Sequence, residues 1–347
     1  MGLTNSSVGI KAVDSDLEIK RRFPDDKVIA LAGNPNVGKS TVFNSLTGMN
    51  QHTGNWPGKT VTNAQGYCSS DKHTYVMVDI PGTYSLMAHS TEEEVARNFI
   101  CFGEPDAVVV VCDATCLERN LNLVLQTIEI SPNVVVCVNL LDEAKRKKIH
   151  IDFKALSHKL GVPVVGSVAR ERKSLDALMN AIDSVLDCKD RGNPIYITYS
   201  NEIEYAISLV EPIIKSKTNG KINSRWLSLK LLDKDESLVN EIRAYMGDEF
   251  LDDDELSNAL EQAESRLKAE GIGPDNLKDK IVSSIVNMAE RISKETVKCG
   301  NDVYNSTDIK IDRILTSKWA GYPIMLALLA VVFWITITGA NYPSQML

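Results

Sequence analysis

The stretch Gly33-Asn34-Pro35-Asn36-Val37-Gly38-Lys39-Ser40 decides the fold class of this chain of 347 residues. It lies between an apolar run of strand type, Val28–Ala32, and a segment of helical character, Ser40–Leu46. In such a loop the glycines let backbone N–H groups surround phosphates at the N-terminus of a helix. The residues that this pattern assigns to a bound nucleotide are Gly33, Asn34, Pro35, Asn36, Val37, Gly38, Lys39, Ser40 and Thr41.

Two side chains of this loop have predicted chemical roles. Lys39 is expected to reach the β- and γ-phosphates, where its charge stabilises the transition state of hydrolysis. The hydroxyl of Ser40 is expected to bind Mg²⁺. The loop therefore predicts an enzyme that binds and hydrolyses a nucleoside triphosphate.

A second motif, Asp79-Ile-Pro-Gly82, follows a strand candidate at Thr74–Ile80. The carboxylate of Asp79 can hold Mg²⁺ through a water molecule. The N–H group of Gly82 can contact the γ-phosphate and respond to its loss. The motif is weak alone, but its place after a phosphate-binding loop makes it a specific signal.

The base is predicted from Asn139-Leu140-Leu141-Asp142, which follows the apolar run Val134–Val138. The carboxylate of Asp142 can accept two hydrogen bonds from guanine, and adenine lacks that pair of donors. The motif therefore predicts GTP and GDP as ligands. Leu140 replaces a lysine common at this position, so we expect faster nucleotide exchange. The residues predicted to complete the base pocket are Ser167, Val168 and Ala169, the last through its N–H group.

Residues 51–62, QHTGNWPGKTVT, are predicted to form a switch loop that the γ-phosphate and Mg²⁺ order. Thr60 is the candidate for a second Mg²⁺ hydroxyl, with Thr53 and Thr62 as alternatives. The predicted nucleotide contacts in this loop are Gly58, Lys59 and Thr60.

Hydrolysis is assigned to Lys39, Thr60 and Gly82. Thr83 and Tyr84 follow the glycine, so no glutamine stands where many GTPases orient the attacking water. No arginine finger can be assigned either. We therefore expect slow intrinsic hydrolysis, or a positioning group other than a side chain of this segment.

Alternating strand and helix patterns predict an α/β fold with a doubly wound, mostly parallel sheet. Ser90 and Ser174 are predicted helix N-caps within it. Residues 200–300 show helical stripes and no strand pattern of comparable quality, which predicts a small all-helical domain. The predicted domains are a polar tail (1–26), a GTP-binding domain (27–190), a helical regulatory domain (195–300), a juxtamembrane linker (301–318) and a transmembrane helix (319–340).

Residues 319–340 carry no charged side chain and are long enough to span a bilayer as a helix. The alternative, a buried core helix, is disfavoured because a soluble helix usually keeps one polar face. Lys310, Arg313 and Lys318 precede the segment. This bias predicts a protein of the cell inner membrane with residues 1–318 in the cytoplasm.

The net charge of −8 and the pI of about 5.3 leave no basic surplus for a phosphate backbone, so nucleic acid is not expected as a main partner. None of the seven cysteines forms a Cys-x-x-Cys pair. We therefore expect the cysteines to be reduced thiols on the cytosolic side.

These motifs resemble those of ferrous iron transport protein B, a family of bacterial GTPase-linked iron transporters. The resemblance rests on GNPNVGKST at 33–41, GNWPG at 54–58, DIPGTYSL at 79–86, DATCLERN at 113–120 and NLLDEA at 139–144. It extends over the chain from about residue 27, and residues 312–347 resemble the start of that family's first membrane helix.

The resemblance implies a K⁺ ion that assists hydrolysis, held by Asn36 and by the carbonyl groups of Gly54 and Trp56. It also implies a helical domain that slows GDP loss and couples the nucleotide state to the membrane part. Lys59 departs from the small aliphatic residue that is commoner in the family. The implied partners are ferrous iron through a membrane domain missing from this chain, a lipid bilayer, a homo-oligomer and small accessory iron-transport proteins.

One helix cannot enclose a polar path, so we expect the chain to be truncated after the first membrane helix of a longer transporter. A membrane-anchored GTPase switch that binds a protein partner without transport is the main alternative. A GTPase of ribosome or RNA assembly is less favoured, because residues 200–300 are acidic rather than basic.

Overall fold

The computed structural model describes residues 19–48, 51–56, 61–87, 90–187, 193–299, 315 and 317–344. The chain divides into two compact units, one that ends at Lys298 and one that begins at Cys299. The first unit holds the sheet and every nucleotide-site candidate that the structure describes.

A seven-stranded sheet forms the centre of the first unit, in the order β2-β3-β4-β1-β5-β6-β8, and β7 pairs with β9 in a small separate sheet. The strands are β1 (Lys27–Gly33), β2 (Gln51–Asn55), β3 (Thr62–Ser69), β4 (Thr74–Asp79), β5 (Ala107–Asp113), β6 (Val134–Asn139), β7 (Ile149–Ile151), β8 (Val164–Gly166) and β9 (Val297–Cys299). Pairing is parallel from β4 through β1, β5 and β6 to β8. The buried valine runs of β5 and β6 therefore occupy the centre, where both faces are covered.

The prediction of a mostly parallel sheet is confirmed, but the predicted loop at residues 51–62 is partly wrong. Residues 51–55 form β2, which pairs antiparallel with β3. The letters QHTGN show no alternation of apolar and polar residues, so the sequence carries no strand signal there. The strand exists because the neighbouring β3 supplies hydrogen-bond partners for its backbone.

Helices cover both faces of the sheet. The helices of the first unit are α1 (Lys39–Thr47), α2 (Thr91–Phe102), α3 (Leu117–Ile130), α4 (Leu141–Arg146), α5 (Phe153–Leu160), α6 (Arg172–Leu186), α7 (Asn201–Thr218), α8 (Ser224–Asp233), α9 (Glu236–Met246), α10 (Asp248–Leu251), α11 (Asp254–Ala269) and α12 (Pro274–Thr296). Residues of α1 and α6 pack on one face, and residues of α2, α3 and α5 pack on the other. The core on the side of α2, α3 and α5 continues without a break into α7–α12.

The predicted helical region is confirmed as mainly helical. Its last helix, α12, packs against α3 and α5 of the sheet-containing part. The region is not purely helical, because β9 follows α12 and pairs with β7. The N–H group of Asp152, directly after β7, also donates to the carbonyl group of Thr296 at 2.9 Å. The end of the helical region is thus tied to the sheet-containing part by backbone hydrogen bonds.

The two predicted N-caps have different outcomes. Ser90 caps α2, because its hydroxyl accepts a hydrogen bond from the N–H group of Glu93 at 3.3 Å. Ser174 lies inside α6, which begins at Arg172, so that prediction is wrong. The hydroxyl of Ser174 instead accepts a hydrogen bond from the N–H group of Val168 at 3.2 Å. A sequence does not show which loop lies within reach of a serine, and here the preceding loop uses it.

The second unit contains one long helix, α13 (Lys318–Ser344). Most of its large apolar side chains between Tyr322 and Ile335 are exposed, and Ile324 is half-buried. Side chains at 318, 319 and 337–344 lie outside the description. Judged on what the structure describes, no helix is both long and apolar enough to cross a bilayer.

Candidate nucleotide site

The loop at residues 33–40 joins the end of β1 to the start of α1. Asn36 and Gly38 have left-handed backbone φ angles of 66° and 82°. A Cβ atom on Gly38 would lie 2.5 Å from Nδ2 of Asn139, so this position needs glycine for space as well as for conformation. The turn brings the N-terminus of α1 to the carboxyl edge of the sheet, the geometry that binds phosphate oxygens.

Lys39 is buried at the first position of α1 and contacts the second predicted motif. Its Nζ atom donates to Oδ1 of Asp79 and, at 2.7 Å, to the carbonyl group of Ile80. Burial raises the pKa of Asp79, and the charge of Lys39 opposes that rise. The cation predicted for the phosphates and the carboxylate predicted for Mg²⁺ therefore belong to one site.

The segment that ends at Gly82 lies against the loop. The N–H group of Thr83 donates to the carbonyl group of Gly33 at 3.2 Å. A Cβ atom on Gly82 would lie 3.5 Å from backbone atoms of Pro35, which is ordinary van der Waals contact. Gly82 is thus a direct neighbour of the residues predicted to hold the phosphates.

Asn139, at the end of β6, joins the phosphate loop to the predicted base loop. Its Nδ2 atom donates to the carbonyl group of Val37 at 3.0 Å. Its Oδ1 atom accepts from the N–H group of Ala169 at 3.1 Å and from the hydroxyl of Ser167 at 3.2 Å. The side chain is buried, so these bonds fix two distant loops at one position.

Asp142 is exposed in the first turn of α4, directly after this junction. Leu140 has a left-handed φ of 63°, which turns the chain from β6 into α4. Val168 and Ala169 follow β8 at the same edge of the sheet, and their N–H groups bind Ser174 and Asn139. The structure brings the predicted base residues together, while the contact of Ala169 with guanine O6 stays a prediction.

Two family models match the chain. Ferrous iron transport protein B matches residues 27–182, and the FeoB cytosolic helical domain matches residues 199–298. This chain belongs to the ferrous iron transport protein B family.

Curated FeoB proteins resemble the chain over most of its own length. The Fe(2+) transporter FeoB of Escherichia coli (strain K12) is 34% identical over 322 residues, which cover 91% of this chain and 39% of that protein. The Fe(2+) transporter FeoB of Salmonella typhimurium is 32% identical over 322 residues with the same coverage. The chain therefore spans well under half the length of the curated FeoB relatives that it matches.

Solved FeoB structures resemble it as well. The cytosolic domain of T. maritima FeoB in a GDP form has a TM-score of 0.63 and 29% identity, and covers 78% of this chain and 99% of that one. A GDP-bound mutant of S. thermophilus NFeoB has a TM-score of 0.65 and 28% identity, with 78% and 100% covered. A GMPPNP form of the T. maritima domain has a TM-score of 0.63. The N-terminal domain of this FeoB family member is a GTPase and binds guanine nucleotide.

The oxygen donors at the nucleotide site suit Mg²⁺. The hydroxyl of Ser40 is exposed at the start of α1, and Asp79 ends β4 beside Lys39. A hydroxyl and a carboxylate are hard ligands of the kind that Mg²⁺ prefers, and the bound ion would supply positive charge at the phosphates. The switch candidates Gly58, Lys59 and Thr60 lie outside the described residues.

The residues predicted for K⁺ have separate surroundings. Asn36 is exposed and Gly54 lies in β2. Trp56 is buried, and its ring meets that of Phe99 edge to face with centroids 5.4 Å apart. The backbone N–H group of Trp56 donates to the carbonyl group of Val61 at 2.7 Å. Trp56 therefore anchors the predicted switch segment in the core with its ring, and the K⁺ assignment stays a prediction.

Asn34, which the loop pattern assigns to the nucleotide, is buried, and neither polar atom of its amide has a hydrogen-bond partner within the described part of the chain. Sequence reasoning missed two polar residues of α3, Asn120 and Gln126. Asn120 donates to the carbonyl group of Cys116 at 2.8 Å and accepts from the N–H group of Asp113 at 3.3 Å. Gln126 contacts the segment after Gly82. The sequence signal for Asn120 and Gln126 was the presence of polar residues within the otherwise apolar, buried side of α3.

Proposed function

We propose that this chain is the GTP-hydrolysing cytoplasmic part of a ferrous iron transporter, in which the nucleotide state controls Fe²⁺ movement across the cell inner membrane. The convergence of Lys39, Asp79 and Asn139 at one edge of the sheet carries the proposal. The proposal is also supported by the curated relatives of this chain, which are Fe(2+) transporters. In this proposal Asp142 selects guanine by accepting hydrogen bonds from its two adjacent donors.

Hydrolysis in this proposal depends on positioning and charge, since phosphoryl transfer asks little covalent chemistry of a protein. Lys39 exchanges its contact with Asp79 for the phosphates, and Ser40, Thr60 and Asp79 would hold Mg²⁺, which would supply positive charge at the phosphates. The N–H group of Gly82 binds the γ-phosphate. Bound K⁺ beside Asn36 would supply the positive charge that an arginine finger supplies elsewhere.

We further propose that residues 319–340 insert into the lipid bilayer with residues 1–318 in the cytoplasm. The absence of charge in the segment and the basic residues before it support this orientation. The exposed apolar side chains of α13 support it too, because extensive apolar exposure marks a surface that lipid or protein covers.

The helical region is proposed to pass the nucleotide state toward the membrane segment. Its supports are the packing of α12 on α3 and α5 and the pairing of β9 with β7. The domain limits 27–190 and 195–300, a homo-oligomer and small accessory proteins stay predictions of the sequence and its family.

Calorimetry on the full chain tests the nucleotide site. GDP is expected to bind at least about a hundredfold more tightly than ADP, because a site built around hydrogen bonds to one base rejects a base without the donors. Asp142→Ala should remove this preference, and Lys39→Ala should abolish nucleotide binding. Equal affinity for GDP and ADP in the wild type would contradict the site.

Iron coupling needs a separate measurement. Fe²⁺ uptake by cells that express the whole transporter to which this chain is proposed to belong is expected to fall to background when that transporter carries Lys39→Ala at equal protein level. Unchanged uptake would contradict coupling and favour a membrane-anchored switch without transport. Salt-dependent RNA binding by the full chain would favour the RNA-assembly alternative.

A further inference from the structure

The segment after Gly82, residues 83–87, is held by side chains of α3. Oε1 of Gln126 accepts a hydrogen bond from the N–H group of Leu86 at 2.7 Å and one from the hydroxyl of Ser85 at 3.1 Å. Gln126 is only 8% exposed, and the side chain of Leu86 is buried in the core. Gln126 is thus a buried acceptor that serves two donors of one short segment.

Hydrogen bonds within the segment make it a compact turn. The hydroxyl of Thr83 donates to the carbonyl group of Ser85 at 2.6 Å. The hydroxyl of Ser85 accepts from the N–H group of Met87 at 3.1 Å. A turn closed in this way moves as a unit, so an anchor at Leu86 restricts the position of Thr83 as well.

A second contact from α3 is made with Tyr84, which is closer to Gly82 in sequence than Ser85 and Leu86 are. The guanidinium group of Arg119 stacks 4.1 Å from the centre of the Tyr84 ring. Arg119 and Gln126 are seven residues apart, about two helical turns, so they lie on the same face of α3. Together they present two attachment points to residues 84–86.

The anchored turn continues directly into the catalytic segment. Thr83 donates to the carbonyl group of Gly33, and Gly82 lies against Pro35. Neither position 83 nor position 84 is a glutamine of the kind that orients water in many GTPases. Placement of the Gly82 amide therefore depends on what holds the turn after it.

We propose that Gln126 is a positioning residue for GTP hydrolysis, which holds residues 83–87 on α3 and thereby fixes the N–H group of Gly82 beside the phosphate loop. The role rests on the GTPase site described above. It acts on the γ-phosphate end of the site alone, since the contacts of Gln126 do not reach the loops at Asn139 or Asp142.

The two hydrogen bonds that Gln126 accepts predict that its loss lowers kcat much more than it lowers the affinity for GDP. Gln126→Met keeps the length of the side chain and removes the acceptor. Loss of a buried hydrogen bond that orders a catalytic segment is expected to lower kcat about tenfold. GDP affinity should stay within about twofold, because GDP lacks the γ-phosphate. Gln126→Glu retains an acceptor for both donors and should restore most of kcat.

The assay measures steady-state GTP hydrolysis, GDP binding by calorimetry and the thermal unfolding midpoint on the full chain. Gln262→Met is the matched control, because Gln262 is exposed on α11. Wild-type hydrolysis in the same assay separates failure of this proposal from failure of the GTPase site. Ser85→Ala removes one donor and should give an intermediate kcat even where Gln126→Met does not fold.

Three results would overturn the proposal. The first is an unchanged kcat in folded Gln126→Met or in Ser85→Ala. The second is an equal loss of kcat and GDP affinity, which indicates general damage. The third is a Gln126→Glu variant that folds and hydrolyses GTP no better than Gln126→Met.

Discussion

Arg97 offers a test of how the sheet-containing part is joined to the helical region. This α2 residue is 0% exposed although it carries a charge. Its Nη1 atom donates to Oδ2 of Asp235 at 2.7 Å, and its Nη2 atom donates to the hydroxyl of Ser237 at 3.1 Å. Nε donates to Oδ1 of Asn98 at 3.1 Å. The planar guanidinium group thus makes three hydrogen bonds, with partners from two regions of the chain.

The partner carboxylate has a second structural role. Asp235 caps α9, where its side chain accepts from the N–H group of Leu238. Burial would raise the pKa of Asp235, but the hydrogen bond from Ser237 and the charge of Arg97 outweigh burial and lower it. The carboxylate is therefore charged in the folded protein and depends on Arg97 for compensation.

Arg97→Met should destabilise the fold by about 3 to 5 kcal/mol, because it leaves a mostly buried carboxylate without its cation. Asp235→Asn keeps a good N-cap residue but leaves the cation unpaired. In the double variant neither buried charge remains. The double variant should therefore lose about 2 kcal/mol less free energy of unfolding than the two single variants lose in sum.

Urea unfolding followed by circular dichroism measures the free energies of this cycle. Arg266→Met is a suitable control, because Arg266 pairs with Glu270 on the exposed face of α11. That change should alter stability by no more than about 0.5 kcal/mol. The reasoning would be refuted if the free energies lost by the two single variants summed to the loss of the double variant within about 0.5 kcal/mol, because the effects of independent sites are additive.

Two further predictions concern a buried acid and the nucleotide site. Glu129 receives a hydrogen bond from the hydroxyl of Tyr199 at 2.8 Å, and the charges of Arg225, Lys230 and Glu204 act on it. Burial raises the pKa of Glu129 to about 7 from its ordinary value of 4.5. The contribution of this side chain to the free energy of unfolding is therefore present below the ordinary pKa and is lost as pH rises through the pKa of the folded protein. Urea titrations between about pH 5 and about pH 8 should show a loss of at most about 3 kcal/mol that Glu129→Gln removes, and an equal slope in both proteins would contradict this. Asn36→Ala should abolish the stimulation of GTP hydrolysis by K⁺ over Na⁺ at constant ionic strength, and a retained K⁺ response would remove Asn36 from the ion site.

The sequence by itself determined the nucleotide motifs and the parallel strands that present them. Phosphate binding needs a short contiguous loop, and the residues 33–40 contain it whole. The valine runs of β5 and β6 identify buried central strands because only such strands are covered on both faces. Adjacent parallel strands end at one edge, so Asp79 and Asn139 were predictable neighbours of the loop.

Only the tertiary structure decided which polar side chains brace that site and which join the sheet-containing part to the helical region. Gln126 reaches Leu86 across 40 positions of sequence, and Arg97 reaches Asp235 across 138. A hydrogen bond between distant residues leaves no period or spacing in a sequence, because its geometry depends on how whole elements pack. The same reason explains β2, which owes its form to β3 rather than to its own residues. Contiguous chemistry is therefore readable from the chain, and the contacts that position it arise only when the elements come together.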